Sequence, residues 1–456
     1  MTNSAAKENK MGVMPIPKLL ISMSLPMIIS MLVQALYNVV DSIFVAQMNE
    51  AALTAVSLAF PIQNLMIAVA AGTGVGINAL LSRSLGEKKF ETANTIAANG
   101  IFLALASSVV FAILGILGSR LFFVAQTDDA QIIQYGTQYM TIITICSVFI
   151  FLQITYERLL QSTGKTIFNM ITQATGAIIN IILDPILIFG YFGLPAMGVT
   201  GAALATVIGQ CIAVLLAIYF NHKYNTEITV KLRKFKPCRQ TISNIYKIGV
   251  PSIIMQSIGS VTTFAMNNIL LMFSSTAAAV YGVYFKLQSF VFMPIFGLTN
   301  GMIPIVAYNY GARNKKRIFA TIKLSIVIAV GIMGLGVAGF QLFPHALLGL
   351  FDASETMYSI GIPALRIISL SFIFAGFCII CGCVFQALGN GVYSMLISGT
   401  RQLIVIIPLA FLFAKLFGLN MIWWAFPLAE IASLTLSVFF LRRIIHKKID
   451  PIPDEE

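Results

Sequence analysis

The chain has 456 residues, of which 58% are hydrophobic and 10% are charged. A soluble domain carries about 25% charged residues, so this composition excludes an ordinary soluble globular protein and points to a chain whose solvent is mostly lipid. The formal net charge of +12 sits in short segments between apolar spans rather than on one polar domain, which argues against a nucleic-acid partner.

Residues 1–15 are polar, and the apolar span after them has no small-residue cleavage site, so that span is expected to remain in the membrane. In chain order, segments long enough to cross a bilayer run at about 16–45, 51–82, 93–119, 131–158, 166–191, 197–221, 241–273, 276–308, 317–343, 356–386, 392–416 and 420–444. Strand-like alternation is missing, so a barrel is not expected. With the N-terminus in the cytoplasm, the inner segments hold Lys7, Lys10, Lys18, Arg83, Lys88, Lys89, Lys165, the run from Lys223 to Lys247, and Arg313, Lys315, Lys316, Arg317, Arg442, Arg443, Lys447 and Lys448. The outer ones hold Arg120 and Lys415 with Glu50, Asp128, Asp129, Asp352 and Glu355. That asymmetry predicts both termini inside.

A shift of 225 residues lays one half of the chain on the other without a gap. Pro26 meets Pro251, Gly72 meets Gly297, Gly86 meets Gly311, Gly136 meets Gly361, Gln161 and Gly164 meet Gln386 and Gly389, and Gly193 meets Gly418. The expected fold class is therefore an all-α membrane protein of twelve transmembrane helices in two six-helix lobes. Six is even, so the lobes enter from the same side and a pseudo-two-fold along the membrane normal relates them. The lobes are expected at 1–222 and 241–456, with a basic cytoplasmic linker at 223–240. Two such lobes suit alternating access around a central cavity.

Ionisable groups inside spans are costly, and here they are Asp41, Asp184, Lys286, Arg366, Arg401 and Glu430. Glu157 and Arg158 lie near a helix end and are expected to snorkel. In the first span, Gln34, Tyr37, Asn38 and Asp41 fall at i, i+3, i+4 and i+7, so they share one helical face, expected to look inward. A structural hydrogen-bond network is the plainer reading of that face. In the fifth span, Asn180 and Asp184 share a face at i and i+4, and Pro185 deprives the Ile181 carbonyl of its helical donor. A carboxylate, an amide oxygen and a freed carbonyl are the ligands a hard cation takes. A desolvated carboxyl can instead carry a proton.

Under the same shift, Asp41 and Asp184 meet Met266 and Leu409. A requirement of the scaffold would be shared by both halves, so carboxylates found in one half read as functional. Lys286, Arg401 and Glu430 belong to the second half, where they either bind substrate or are structural, with Arg401 and Glu430 expected to pair.

Cys378, Cys381 and Cys383 lie within an apolar helix and read as packing. Gly72, Gly74 and Gly76 follow no strand and precede no Lys-Ser/Thr, so they read as close helix packing and not as a phosphate loop. His222, His345 and His446 have no partners at metal-ligand spacing. Neither a catalytic triad nor a nucleotide motif is present, so the chain is not expected to be an enzyme.

The chain resembles the bacterial and archaeal branch of the multidrug and toxic compound extrusion (MATE) family. The resemblance rests on Val-Gln-Ala-Leu-Tyr-Asn-Val-Val-Asp at 33–41, Leu-Gln-Ser-Thr-Gly at 160–164, Asn-Ile-Ile-Leu-Asp-Pro at 180–185, Gly-Ala-Ala-Leu-Ala-Thr at 201–206 and Pro-Ile-Val-Ala-Tyr-Asn-Tyr-Gly at 304–311, and it covers nearly the whole chain. It implies a cell-membrane antiporter that exports small organic, often cationic, compounds against sodium or proton entry, with no cofactor beyond that coupling ion. It also implies a cation-coupling set of Asp41, Asn180, Asp184 and Thr206, which would hold Na+ where sodium is the ion, with Tyr37 nearby. Gln34, Asn38 and Gln153 are expected to line a polar substrate network; Gln153 stands where related chains often carry Asn. A monomer among membrane lipids is expected. A lipid-linked oligosaccharide flippase of the same superfamily and a non-transporting membrane scaffold are the rival readings. The few intramembrane cations argue against the first, and the lack of large soluble domains against the second.

Overall fold

The computed structural model describes residues 8–230, 235–351 and 353–453. Lys7, Asp352 and three cations of the basic run (Lys231, Arg233 and Lys234) lie outside the described residues. Among the described residues the secondary structure is helical throughout, with no strand.

The first half comprises α1 (Ile16–Ala46), α2 (Glu50–Gly86), α3 (Phe90–Val124), α4 (Ala130–Ile145), α5 (Ser147–Ser162), α6 (Thr166–Phe189) and α7 (Val199–Tyr224). The second comprises α8 (Arg239–Leu271), α9 (Ser275–Gly311), α10 (Lys315–Leu342), α11 (Glu355–Ser369), α12 (Phe372–Ala387) and α13 (Gly391–Gly399). After α13 a π-helical stretch, Thr400–Ile406, leads into α14 (Ile407–Phe417), and α15 (Ala425–Ile444) completes the half. Among the described residues, ten helices are long and apolar enough to span a membrane, and twelve if two bent pairs each count as one span. The bent pairs are α4 with α5, at 45°, and α11 with α12, at 47°. They begin at Ala130 and Glu355, which are 225 residues apart.

The duplication therefore extends to backbone detail. Asn49 caps α2 by accepting a hydrogen bond from the Ala52 N–H, and Ser274, its partner under the shift, caps α9 through the Ala277 N–H. Left-handed φ values recur at Lys88 and Arg313 (58° each), at Gly164 and Gly389 (85° and 81°), and at Gly193 and Gly418 (82° and 83°). Glycine adopts that conformation without a Cβ clash, which explains why the last two pairs are kept as glycine.

By contact the chain divides into two compact units, Ile29–Gly249 and Met1–Ile28 with Val250–Glu456. The divisions fall inside α1 and α8, beside Pro26 and Pro251. Compactness thus divides the chain at other points than sequence repetition does, because the start of each half's first helix packs in the unit built mainly from the other half.

In the first unit, the second helix is the most buried. The apolar window of α2 is 72% buried, because its glycines let another backbone approach. A Cβ added to Gly76 would lie 2.3 Å from the Ile245 carbonyl oxygen. In the other unit the equivalent window of α9 is 67% buried. There a Cβ on Gly297 would meet the Ile28 backbone at 2.6 Å, and one on Gly301 would meet Ser24. These contacts bear out the packing expectation for Gly76. The faces left outside are apolar: Leu114, Leu117 and Leu121 on α3 are 59%, 76% and 72% exposed. Exposed leucines at i, i+3 and i+7 form a stripe that suits lipid.

Candidate functional site

The first unit contains a polar centre where α1, α6 and α7 meet. Asp184 is fully buried on α6, one turn after Asn180 and just before Pro185. The Asn180 amide that satisfies its surroundings donates from Nδ2 to Asp184 Oδ2 at 2.9 Å. Its oxygen then accepts from the Thr206 hydroxyl at 3.2 Å and the Thr206 backbone N–H at 2.9 Å. The single hydroxyl proton of Thr206 goes to Asn180 or to the Ala202 carbonyl, 3.1 Å away. Tyr37 is therefore the donor in its long 3.5 Å contact with Thr206 Oγ1.

Asp41 comes from α1, half-buried, with its carboxyl beside that of Asp184. Asp184 Oδ1 is buried and has no hydrogen-bond partner. Two carboxyl groups in contact, with one oxygen orphaned, hold negative charge out of water. In a medium of low dielectric that arrangement needs a proton or a cation between the groups. The residues suit either. Asp41, Asn180, Asp184 and Thr206 all offer oxygen, which hard monovalent cations prefer by analogy with other hard ions. Asn180, however, currently turns its N–H toward Asp184, so coordination through its oxygen needs the amide to rotate.

The structure thus brings together Tyr37, Asp41, Asn180, Asp184 and Thr206. It does not bring in the rest of the polar stripe of α1, because Gln34 and Asn38 are exposed. Two further residues sit at the centre. Tyr139, on α4 and 2% exposed, lies near Asp41, Asp184 and Tyr37 and beside Gln63 of α2. Their spacing in sequence gave no signal, because Gln63 adjoins Asn64 on α2 and Tyr139 sits among Gln134, Thr137 and Gln138 on α4, so nothing singles either out and only the packing of α2 and α4 brings it to the carboxyls.

Gln153 belongs elsewhere. Its Nε2 donates to Glu157 Oε1 at 3.0 Å, and Glu157 also accepts from Thr172 Oγ1 at 3.0 Å and from Gln173 Nε2 at 2.8 Å. Glu157 is 3% exposed, which corrects the expectation that it snorkels. The donors on α6 face α5 at that level and hold the carboxylate inside. Arg158 turns away to Gln161 Oε1 at 2.7 Å and packs its stem over Gly74.

In the second unit Arg401 and Glu430 form the expected pair, with Nη1 to Oε1 at 2.8 Å. Lys286 places its ammonium 5.9 Å from the centre of the Phe351 ring. Cys378 and Cys381 are buried and unpaired, as packing residues would be. Among the described residues no group of three His, Cys, Asp or Glu side chains could hold a metal.

Comparison with known proteins places this geometry in a family. The MatE family model matches residues 26–186 and 251–412, one stretch in each half. The multidrug export protein MepA of Staphylococcus haemolyticus is 29% identical over 425 residues, covering 93% of both chains. A MATE crystallised in complex with MaL6 superposes with a TM-score of 0.90 at 26% identity, over 97% of this chain and 99% of that one. An outward-facing multidrug resistance MATE transporter of the MOP superfamily superposes with a TM-score of 0.91 at 25% identity, over 98% and 100%. With the two matched stretches falling on the two copies of the six-span repeat, the chain belongs to the MatE family of multi-pass membrane transporters and is not an enzyme.

Proposed function

We propose that this transporter exports small organic, often cationic, compounds from the cell by cation-coupled antiport, with Asp41 and Asp184 as the coupling carboxyls. The observation that carries the reading is the contact between Asp41 and the fully buried Asp184, whose Oδ1 has no partner. The relative named as a multidrug export protein supports the cargo class.

The coupling works through a difference in affinity. Asp41 stands on α1, and Asp184 on a helix packed firmly against α7. A proton or sodium ion shared between them stabilises the arrangement in which α1 is drawn to α6. Cargo that favours the other arrangement is then released when the ion binds and taken up when it leaves. Tyr37 and Thr206 tie α1 to α7, and Asn180 orients Asp184. A proton fits the geometry as it stands, since it needs only the two carboxyls. Sodium is the second reading, favoured by the orphan Asp184 Oδ1 and reached by turning the Asn180 amide.

The experiment is ethidium efflux from loaded cells, followed by transport in proteoliposomes with sodium and pH gradients imposed separately. Wild type is expected to expel ethidium. Asp41→Asn and Asp184→Asn, each present in the membrane at wild-type level, are expected to lose at least about fivefold in rate, as removal of a coupling free energy of about 1–3 kcal/mol predicts. Full efflux by the double variant would sink the antiport reading. A pH gradient that drives transport without sodium identifies the proton, and the reverse result identifies sodium.

A further inference from the structure

The second unit has a polar centre on the helices that correspond to α6 and α7. Under the shift of 225, the π-helical stretch Thr400–Ile406 falls on residues 175–181 of α6, and Glu430 falls on Ala205, next to Thr206. Duplication has thus left a buried ionic group in each unit on the same helix pair, built from different residues.

Three observations set this centre apart from a plain structural ion pair. Glu430 is 6% exposed, and one carboxylate oxygen is bonded to Arg401 while Oε2 has no hydrogen-bond partner. A buried pair is stable when its remaining lone pairs are satisfied, and this one is not. Along the same face of α15, at i+3 and i+7, Ser433 and Ser437 are fully buried. Their hydroxyls find only the weakly bonding thiol of Cys378. Finally, Arg401 is the second residue of the π-helical stretch, between Gly399 and Pro408. Pro408 has no N–H to give to the preceding turn, and single π turns inside α-helices recur at functional sites. The next residue, Gln402, accepts a 3.1 Å hydrogen bond from Thr262 of α8.

We propose that Glu430 is a second proton-binding carboxyl and that its protonation releases Arg401 and the π-helical stretch. The unbonded oxygen takes the proton, Glu430 becomes a neutral acid, and the ionic attraction to Arg401 is lost. Arg401 keeps its charge, and its side chain, 22% exposed, is free to leave the pair. Ser433 and Ser437 offer hydroxyls that can pass the proton along α15. The titratable groups facing Glu430 are Arg401, Tyr284 of α9 and Cys378 of α12. Of these Arg401 alone carries a charge at neutral pH.

The test is hydrogen–deuterium exchange of the backbone amides at 400–407 in the full chain in nanodiscs, at neutral and mildly acidic pH, corrected for the intrinsic pH dependence of exchange. Wild type is expected to exchange about tenfold faster in acid, as local opening follows loss of the pair. Glu430→Gln should exchange at the fast rate at both pH values. Asp41→Asn with Asp184→Asn should keep the wild-type response, which separates this proposal from the coupling role of those carboxyls. A wild-type rate that does not change with pH overturns the proposal, as does a Glu430→Gln protein that remains protected and pH-responsive. The wild-type comparison decides alone if the variant does not fold.

Discussion

At the scale of single residues, the buried acids of this chain differ in what satisfies them. Asp184 leaves an oxygen orphaned beside a second carboxyl, whereas both oxygens of Glu157 are bonded, to Gln153, Thr172 and Gln173. The first arrangement is poised to take a ligand and the second to hold α5 against α6. Glu157→Leu would leave the Gln153 and Gln173 amides without their acceptor, each costing about 1–3 kcal/mol when buried, while the Thr172 hydroxyl keeps the Asn169 carbonyl at 2.8 Å. The expected outcome is a large fall in the detergent melting temperature. Glu157→Gln, which keeps the shape and one acceptor oxygen, should fall less. Equal melting temperatures for Glu157→Leu and wild type would show that the bonds do not hold the helices. In sequence, the pairing of Asn180 with Asp184 was legible because i and i+4 share a helix face. The burial of Glu157 was not, since its donors on α6 are not periodic partners of α5.

At the scale of helices, the glycines of α2 and α9 decide how closely neighbours approach. Gly76→Ala would push a methyl group to 2.3 Å from the Ile245 carbonyl. Because the obstacle is backbone, α2 and α8 must separate, and a clear loss of melting temperature is expected. A methyl group added at Gly118 on α3 would meet nothing within 4 Å, so Gly118→Ala should be neutral or stabilising by up to about 1 kcal/mol, the helix propensity difference. The same contrast explains why the repeat was visible: Gly76 and Gly301, 225 residues apart, recur because backbone contacts are unforgiving, while residues facing lipid are free to drift. At the end of α2, Glu87 is bonded to Arg83 and Lys89, each at 2.8 Å. Burial raises its carboxyl, but the two cations outweigh burial and hold it below the usual range. A carboxyl with a lowered folded-state pKa stabilises above its unfolded pKa, and the contribution disappears as pH falls through the folded value. Glu87→Gln should thus cost at most about 1 kcal/mol at neutral pH, since the partners are largely exposed, and nothing in strong acid.

At the scale of the whole chain, the sequence made twelve spans and the duplication legible, because lipid demands long apolar helices and copied backbone turns demand glycine. The bends were hidden: Cys146 and Ser371 interrupt apolar runs that read as continuous. The exchange of Met1–Ile28 and 239–249 between compact units was hidden too, since it depends on tertiary contact alone. Orientation is a separate question, and the charge bias argues it. Lys88, Lys89, Lys165, Arg313, Lys315 and Lys316 flank turns that would share one side of the membrane, while Asp128, Asp129 and Glu355 would share the other. Lys and Arg near helix ends are retained on the cytoplasmic side, so both termini are proposed to be cytoplasmic. Single cysteines on a cysteine-free background test this: Lys89→Cys and Lys316→Cys should resist a membrane-impermeant maleimide in intact cells and react after lysis, whereas Asp128→Cys and Glu355→Cys should react in intact cells. Using both halves matters, because six spans separate Lys89 from Lys316 and Asp128 from Glu355. Labelling that agreed within one half and reversed in the other would break the parallel repeat as well as the orientation, whereas reversal of all four positions would overturn the orientation and leave the repeat standing.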